Sequence, residues 1–247
     1  MARLSGGVLG FPEFRGFTRR LVLWNLGFYF ALLLLGVASA AYKANLLLMF
    51  GLLPSFVLHR GFVWQLITYC FIHVGILNTA FELLSIWFLG SILEMNHGAR
   101  WMGELFFASV LGSGLAALGL SVFVPASETL LYGCWGGIFG LLIAFGVLYA
   151  EMEFMMFPLP INIKAKYLVA VYILIALAML FSAQRFFAFA QLGGAVAGYL
   201  YIRLAPRRGF AFAGSDSIYG LRNRYYRWKR QRAAKKFEVY MRKHRDN

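Results

Sequence analysis

The side chains able to do chemistry in this sequence are few, and most of them lie in apolar surroundings. Glu82 falls about midway along an apolar run. An acidic group there is costly unless it is protonated, paired or wetted, which makes Glu82 a functional candidate by default. Asn78 precedes it by one helical turn and offers both a donor and an acceptor on the same face. A structural reading stands beside the functional one: protonated Glu82, hydrogen-bonded to Gln191 or to a backbone carbonyl, would hold two helices together. His73 reads as a histidine at a membrane interface. Ser85 and Ser91 are the serines nearest Glu82, and nothing in the sequence pairs them with a histidine. Cys70 and Cys134 both sit inside apolar segments, so neither a disulfide framework nor a thiolate metal site is suggested. Four scattered histidines give no zinc pattern, and no metal or cofactor is expected.

The elements that carry these residues are set by composition. Of 247 residues 61% are hydrophobic and 14% charged, too apolar a balance for a water-surrounded core of this length, so a lipid solvent is implied. A hydrocarbon core roughly 30 Å thick takes about 20 mostly apolar residues per helix. Runs of that kind fall at 21–42, 71–94, 104–124, 130–150, 166–183 and 186–205. The first is too long for the apolar part of a signal peptide and is read as a retained helix.

Lys and Arg concentrate at the N-terminus (Arg3, Arg15, Arg19, Arg20), at Arg100, at Lys164 and in the tail. The opposite side carries Lys43, Arg60 and Arg185. The positive-inside rule then puts both termini in the cytoplasm, which requires an even number of spans. The expected architecture is an all-α polytopic membrane protein of the cell (inner) membrane. It has a cytoplasmic segment 1–20, a six-helix membrane domain 21–205 and a basic cytoplasmic tail 206–247. Residues 43–65 mix Leu46-Leu47-Leu48-Met49-Phe50 with Pro54, His59 and Arg60, and read as a partly buried interfacial loop on the outer side, between spans one and two.

Glycines gather in three runs, and Gly136/Gly140 and Gly194/Gly198 have the spacing that lets helices approach closely in lipid. Spans four and six are expected to touch there. The tail holds thirteen Lys/Arg against Asp216, Glu238 and Asp246, so it supplies +10 of the chain's +14. Its aromatic and basic residues, among them Arg222, Arg227, Trp228, Lys229 and Arg230, alternate at helical steps. Such a helix suits an anionic lipid surface, and proximity to the bilayer favours lipid headgroups over nucleic acid.

Three stretches in order carry a family resemblance: Gly61 to His73 running on to Gly90, Glu94 and Gly98; Gly133-Cys-Trp-Gly-Gly-Ile-Phe-Gly140; and Gln191-Leu-Gly-Gly-Ala-Val-Ala-Gly198. Together the sequence resembles the rhomboid intramembrane serine proteases over residues 20–205. The resemblance implies a six-helix bundle, with a serine on the fourth helix, a histidine base on the sixth, and a His and an Asn on the second that stabilise the oxyanion. At those positions stand Trp135, Gln191, Asn78 and Glu82. Indole has no nucleophilic oxygen, an amide is no base near neutral pH, and a carboxylate repels a developing oxyanion. His73 matches a histidine often present before the second helix.

The resemblance therefore implies a rhomboid pseudoprotease, of bacterial source by the character of its tail, comparable with inactive rhomboids and Derlins that bind membrane clients. Glu82, His73 and Trp135 are the client-binding candidates. Trp135 would fill the cleft, with its N–H accepted by Glu82 in a cluster with Gln191 and with Asn78 at the edge. Two other function classes stay open: an active protease using unrecognised residues, and a solute or ion pathway around Glu82.

Overall fold

The computed structural model describes residues 12–124, 129–156 and 161–205. The tail residues Arg222, Arg227, Trp228, Lys229 and Arg230 lie outside them, as do residues 1–11 and Glu128.

The chain begins with α1, Gly16–Ala38, whose N-terminal amides are capped from a distant element. The Glu94 carboxylate accepts from the Phe17 and Thr18 N–H groups at 2.7 Å each and from the Thr18 hydroxyl at 2.6 Å. A negative charge at a helix N-terminus satisfies orphan donors and complements the helix dipole. This is why the helix starts five residues earlier than the apolar run that predicts it. Ser39 ends α1 in extended backbone and accepts from the Tyr42 N–H to open α2, Ala40–Phe50.

The segment 43–65 is not a loop. It holds most of α2, then α3, Pro54–Arg60, and leads into α4, Gln65–Thr68, which continues as a 3₁₀ turn at Tyr69–Phe71. Tertiary contacts hold these short pieces. The buried Gln65 amide donates to Leu48 O at 2.8 Å and accepts from Leu53 N–H at 3.0 Å, and the Thr68 hydroxyl donates to Phe50 O at 2.8 Å. Leu52 pairs with Leu131 across the chain in an isolated antiparallel bridge.

Two long helices follow, α5 at Ile76–His97 and α6 at Ala99–Phe123, and then α7 at Trp135–Leu148. The connection 151–164 departs from an all-α description: β1, Glu153–Met156, pairs antiparallel with β2, Ile161–Lys164. Backbone amides there find no helical partners and close on one another instead. The bundle ends with α8, Ala165–Met179, and α9, Arg185–Leu204.

Each of the six expected runs overlaps a helix, but by length and composition three of the described helices, α1, α5 and α6, suffice to cross a membrane. α7 and α8 are shorter apolar helices. Outward-facing residues are apolar in a way water would penalise, with Trp24 63%, Leu34 67% and Phe181 93% exposed. The core sits between α5, α6, α7 and α9 and includes Ile86, Leu93, Met102, Phe106, Ile138 and Phe145. There α7 and α9 approach backbone to backbone: a Cβ on Gly194 would lie 2.3 Å from Gly136 O, and one on Gly198 2.6 Å from the Gly140 Cα. Beside the same contact, Gly140 abuts the Ser109 side chain of α6.

Candidate functional site

The residues singled out by their chemistry converge where the start of α7 meets α5. Gly133 has φ +91°, a conformation open to glycine, and its N–H donates to Ile72 O at 2.8 Å and Tyr69 O at 3.1 Å. This turn fixes the next residue, Cys134, so that its N–H points at Glu82 Oε2, 2.5 Å away. The other carboxylate oxygen, Oε1, accepts from Asn78 Nδ2. His73 Nε2 completes the group at 3.2 Å from Oε2, and both His73 and Glu82 have fully buried side chains. Glu82 is therefore paired on every side, and the N-terminus of α7 adds a favourable dipole.

The expected cluster forms differently. Glu82 bonds Asn78, Cys134 N–H and His73, not Gln191 or the indole. The Trp135 N–H is directed instead at Asn78 Oδ1, at 3.4 Å. Gln191, on α9, faces the same cavity as Asn78 and Trp135, and its side chain makes no hydrogen bond among the described residues. The physical reason is competition. Asn78 reaches the carboxylate from one helical turn away and the Gly133 turn brings the Cys134 amide onto it, so its oxygens are occupied before the Gln191 amide can bid for them.

The cavity has a volume of about 430 Å³ and opens between α5, α7, α8 and α9, with Tyr132, Tyr172 and Phe187 joining Asn78, Trp135 and Gln191 in its wall. Trp135 narrows this space without closing it, so the cleft is not plugged. Ser85 donates to Phe81 O at 2.7 Å, and the Ser91 hydroxyl is buried without a partner. Neither meets a histidine. His73 instead meets a residue that sequence reasoning passed over: Cys134 Sγ lies 3.6 Å from His73 Nε2, 3.3 Å from Asn25 Oδ1 and 2.7 Å from Cys70 O. The signal was available in the Gly-x-x-Gly turn around position 134, but nothing local tied that thiol to a histidine 61 residues away.

The family model for the rhomboid domain matches residues 60–208, more than half of the chain. The chain belongs to the rhomboid family, whose members are membrane proteins. It is similar to the rhomboid protease GluP of Bacillus subtilis strain 168, 26% identical over 106 residues that make up 42% of this chain and 21% of that protein. It is also similar to inactive rhomboid-related protein 2 of Caenorhabditis elegans, 33% identical over 159 residues, 58% of this chain and 40% of that protein. Human rhomboid-related protein 3 is 35% identical over 89 residues, 34% of this chain and 20% of that protein. The chain thus spans well under half the length of these relatives.

Proposed function

We propose that this chain is a rhomboid pseudoprotease, which holds transmembrane segments of other membrane proteins in the cleft beside Trp135 without cutting them. One observation carries the reading: the wall of the cleft presents the indole of Trp135 and the amide of Gln191 at the positions where the resemblance puts a serine and its histidine base. Neither group can attack a carbonyl or take a proton at neutral pH. Support also comes from Glu82. Its carboxylate occupies the amide of residue 134 and the Asn78 side chain, donors that an oxyanion would otherwise use. A similarity to an inactive rhomboid-related protein is consistent with this reading. Because Glu82 is ligated on every side and buried, it favours a structural anchor over a solute or ion pathway.

In this reading the bundle has six spans, both termini face the cytoplasm of a cell (inner) membrane, and the tail, through Arg222, Arg227, Trp228, Lys229 and Arg230, rests on anionic headgroups. α7 and α8 cross as short helices in a locally thinned bilayer.

Client binding is tested by placing a photo-crosslinking phenylalanine analogue at Tyr172 or Phe187 in the cleft wall, with Trp24 on the outer face of α1 as control. A single-span model peptide in liposomes should crosslink from the cleft positions and not from the control. Equal crosslinking from all three rejects a binding cleft.

A further inference from the structure

His73, Glu82 and Cys134 bring one nitrogen, one carboxylate oxygen and one sulfur within 4.8 Å of one another, all buried. Two separations are decisive: Sγ to Nε2 is 3.6 Å and Nε2 to Oε2 is 3.2 Å. Tetrahedral ligands around zinc, with bonds of about 2.3 Å to sulfur and about 2.0–2.2 Å to nitrogen and oxygen, stand roughly 3.3–3.6 Å apart. Both separations match neighbouring ligands of one ion, and all three donor atoms lie within 4.8 Å of one another.

A catalytic explanation fails on geometry. In a nucleophile–histidine–carboxylate relay the imidazole uses opposite nitrogens for its two partners. Here His73 turns the same nitrogen, Nε2, to both Cys134 and Glu82, while its Nδ1 is buried without a hydrogen-bond partner. Two groups sharing one nitrogen cannot pass a proton through the ring, but they can share a cation with it.

Proton accounting points the same way. Cys134 Sγ has one proton to give and faces two acceptor oxygens, Asn25 Oδ1 and Cys70 O, together with His73 Nε2. A second acceptor-rich group, the Glu82 carboxylate, stands alongside. The thiol proton can serve only one of these partners at a time, and His73 Nε2 is shared between Cys134 Sγ and Glu82 Oε2. A divalent cation fits this arrangement: thiolate and carboxylate balance its charge, and neutral His73 gives its Nε2 lone pair. Ligation releases the thiol proton to solvent.

We propose that His73, Glu82 and Cys134 form a buried site for one divalent transition-metal ion of the zinc type, joining the segment before α5, the middle of α5 and the start of α7. The mixed sulfur, nitrogen and oxygen set suits zinc and excludes magnesium and calcium, which take oxygen ligands. The site is a clamp on the turn that presents Trp135, and it stands whether or not the chain binds or cuts clients.

The test uses the full chain, purified in detergent through a tag without histidines and without chelator, and its metal content measured by plasma mass spectrometry. The expected result is one zinc per chain. Cys134→Ser and His73→Gln should each lower it by about tenfold or more, and His59→Gln, exposed near the end of α3, should leave it unchanged. Since Cys134→Ser can misfold, the wild-type protein is also loaded with Co²⁺, which should show the near-ultraviolet charge-transfer band of a thiolate ligand and the visible bands of a tetrahedral ion. Folded wild-type protein that carries no zinc above the buffer blank and gives no thiolate band with Co²⁺ overturns the site. So does zinc that stays bound in folded Cys134→Ser and His73→Gln.

Discussion

The Glu82 carboxylate lies directly over Gly133: a Cβ on that glycine would stand 2.7 Å from Oε1 and 2.8 Å from Oε2. The contact links the middle of α5 to the turn that starts α7, and the same glycine holds φ +91°. Gly133→Ala meets both obstacles, a left-handed backbone and a clash with a buried, fully bonded carboxylate. The expected loss is about 2–4 kcal/mol of stability, read as a shift of the unfolding curve in mixed micelles. A shift under about 0.5 kcal/mol, the usual range for a surface substitution, contradicts the geometry.

Close approach of α7 and α9 makes a second, graded prediction. Gly194→Leu drives a side chain into the Gly136 carbonyl, where no flexible group can yield. It should unfold the bundle at markedly lower denaturant, by about 3 kcal/mol or more. Gly119, on α6, has nothing within 4 Å of its would-be Cβ, so Gly119→Ala should be neutral or stabilise by up to about 1 kcal/mol. The pair is best measured side by side, since equal effects would remove the packing explanation.

How much of this was legible beforehand depends on the kind of contact. The long helices show as apolar runs, because lipid selects composition over any stretch of about 20 residues. α3 and α4 do not show, because they are short and are held by the Gln65 and Thr68 side chains of α4 bonding the end of α2 and the Leu53 N–H before α3, a tertiary fact without periodicity. The start of α1 was misplaced for the same reason: its cap, Glu94, is 76 residues away from Thr18. At the site, Asn78 and Glu82 were readable as one helical face. Cys134 was not, because its histidine and carboxylate partners lie 61 and 52 residues away and only the Gly133 turn brings them together.

Outside the bundle core, Glu151 has a pH signature. Hydrogen bonds from Lys164 at 2.8 Å and Lys166 at 2.6 Å hold its carboxyl down to about 2. A depressed carboxyl contributes stability above its unfolded value, roughly 4.3, and the contribution fades as pH falls from there through about 2. The group is exposed, so salt weakens the effect. Carbon NMR of the Glu151 carboxyl at low salt should give a midpoint well below that of an ordinary glutamate, and Lys164→Ala with Lys166→Ala should restore the ordinary value. An unshifted wild-type midpoint contradicts the ion-pair account.

The central claim is that a rhomboid bearing Trp135 and Gln191 in its cleft does not cut. The most direct measurement incubates the purified chain, in detergent and in liposomes, with a model transmembrane substrate, and separately with a serine-directed fluorophosphonate. Losing one partner of a serine–base pair costs several orders of magnitude in rate, and here both are replaced. The account predicts no cleavage above a blank and no label on the chain. Cleavage that follows the protein through purification would contradict it, whether or not it is lost in a variant with Ser85→Ala and Ser91→Ala.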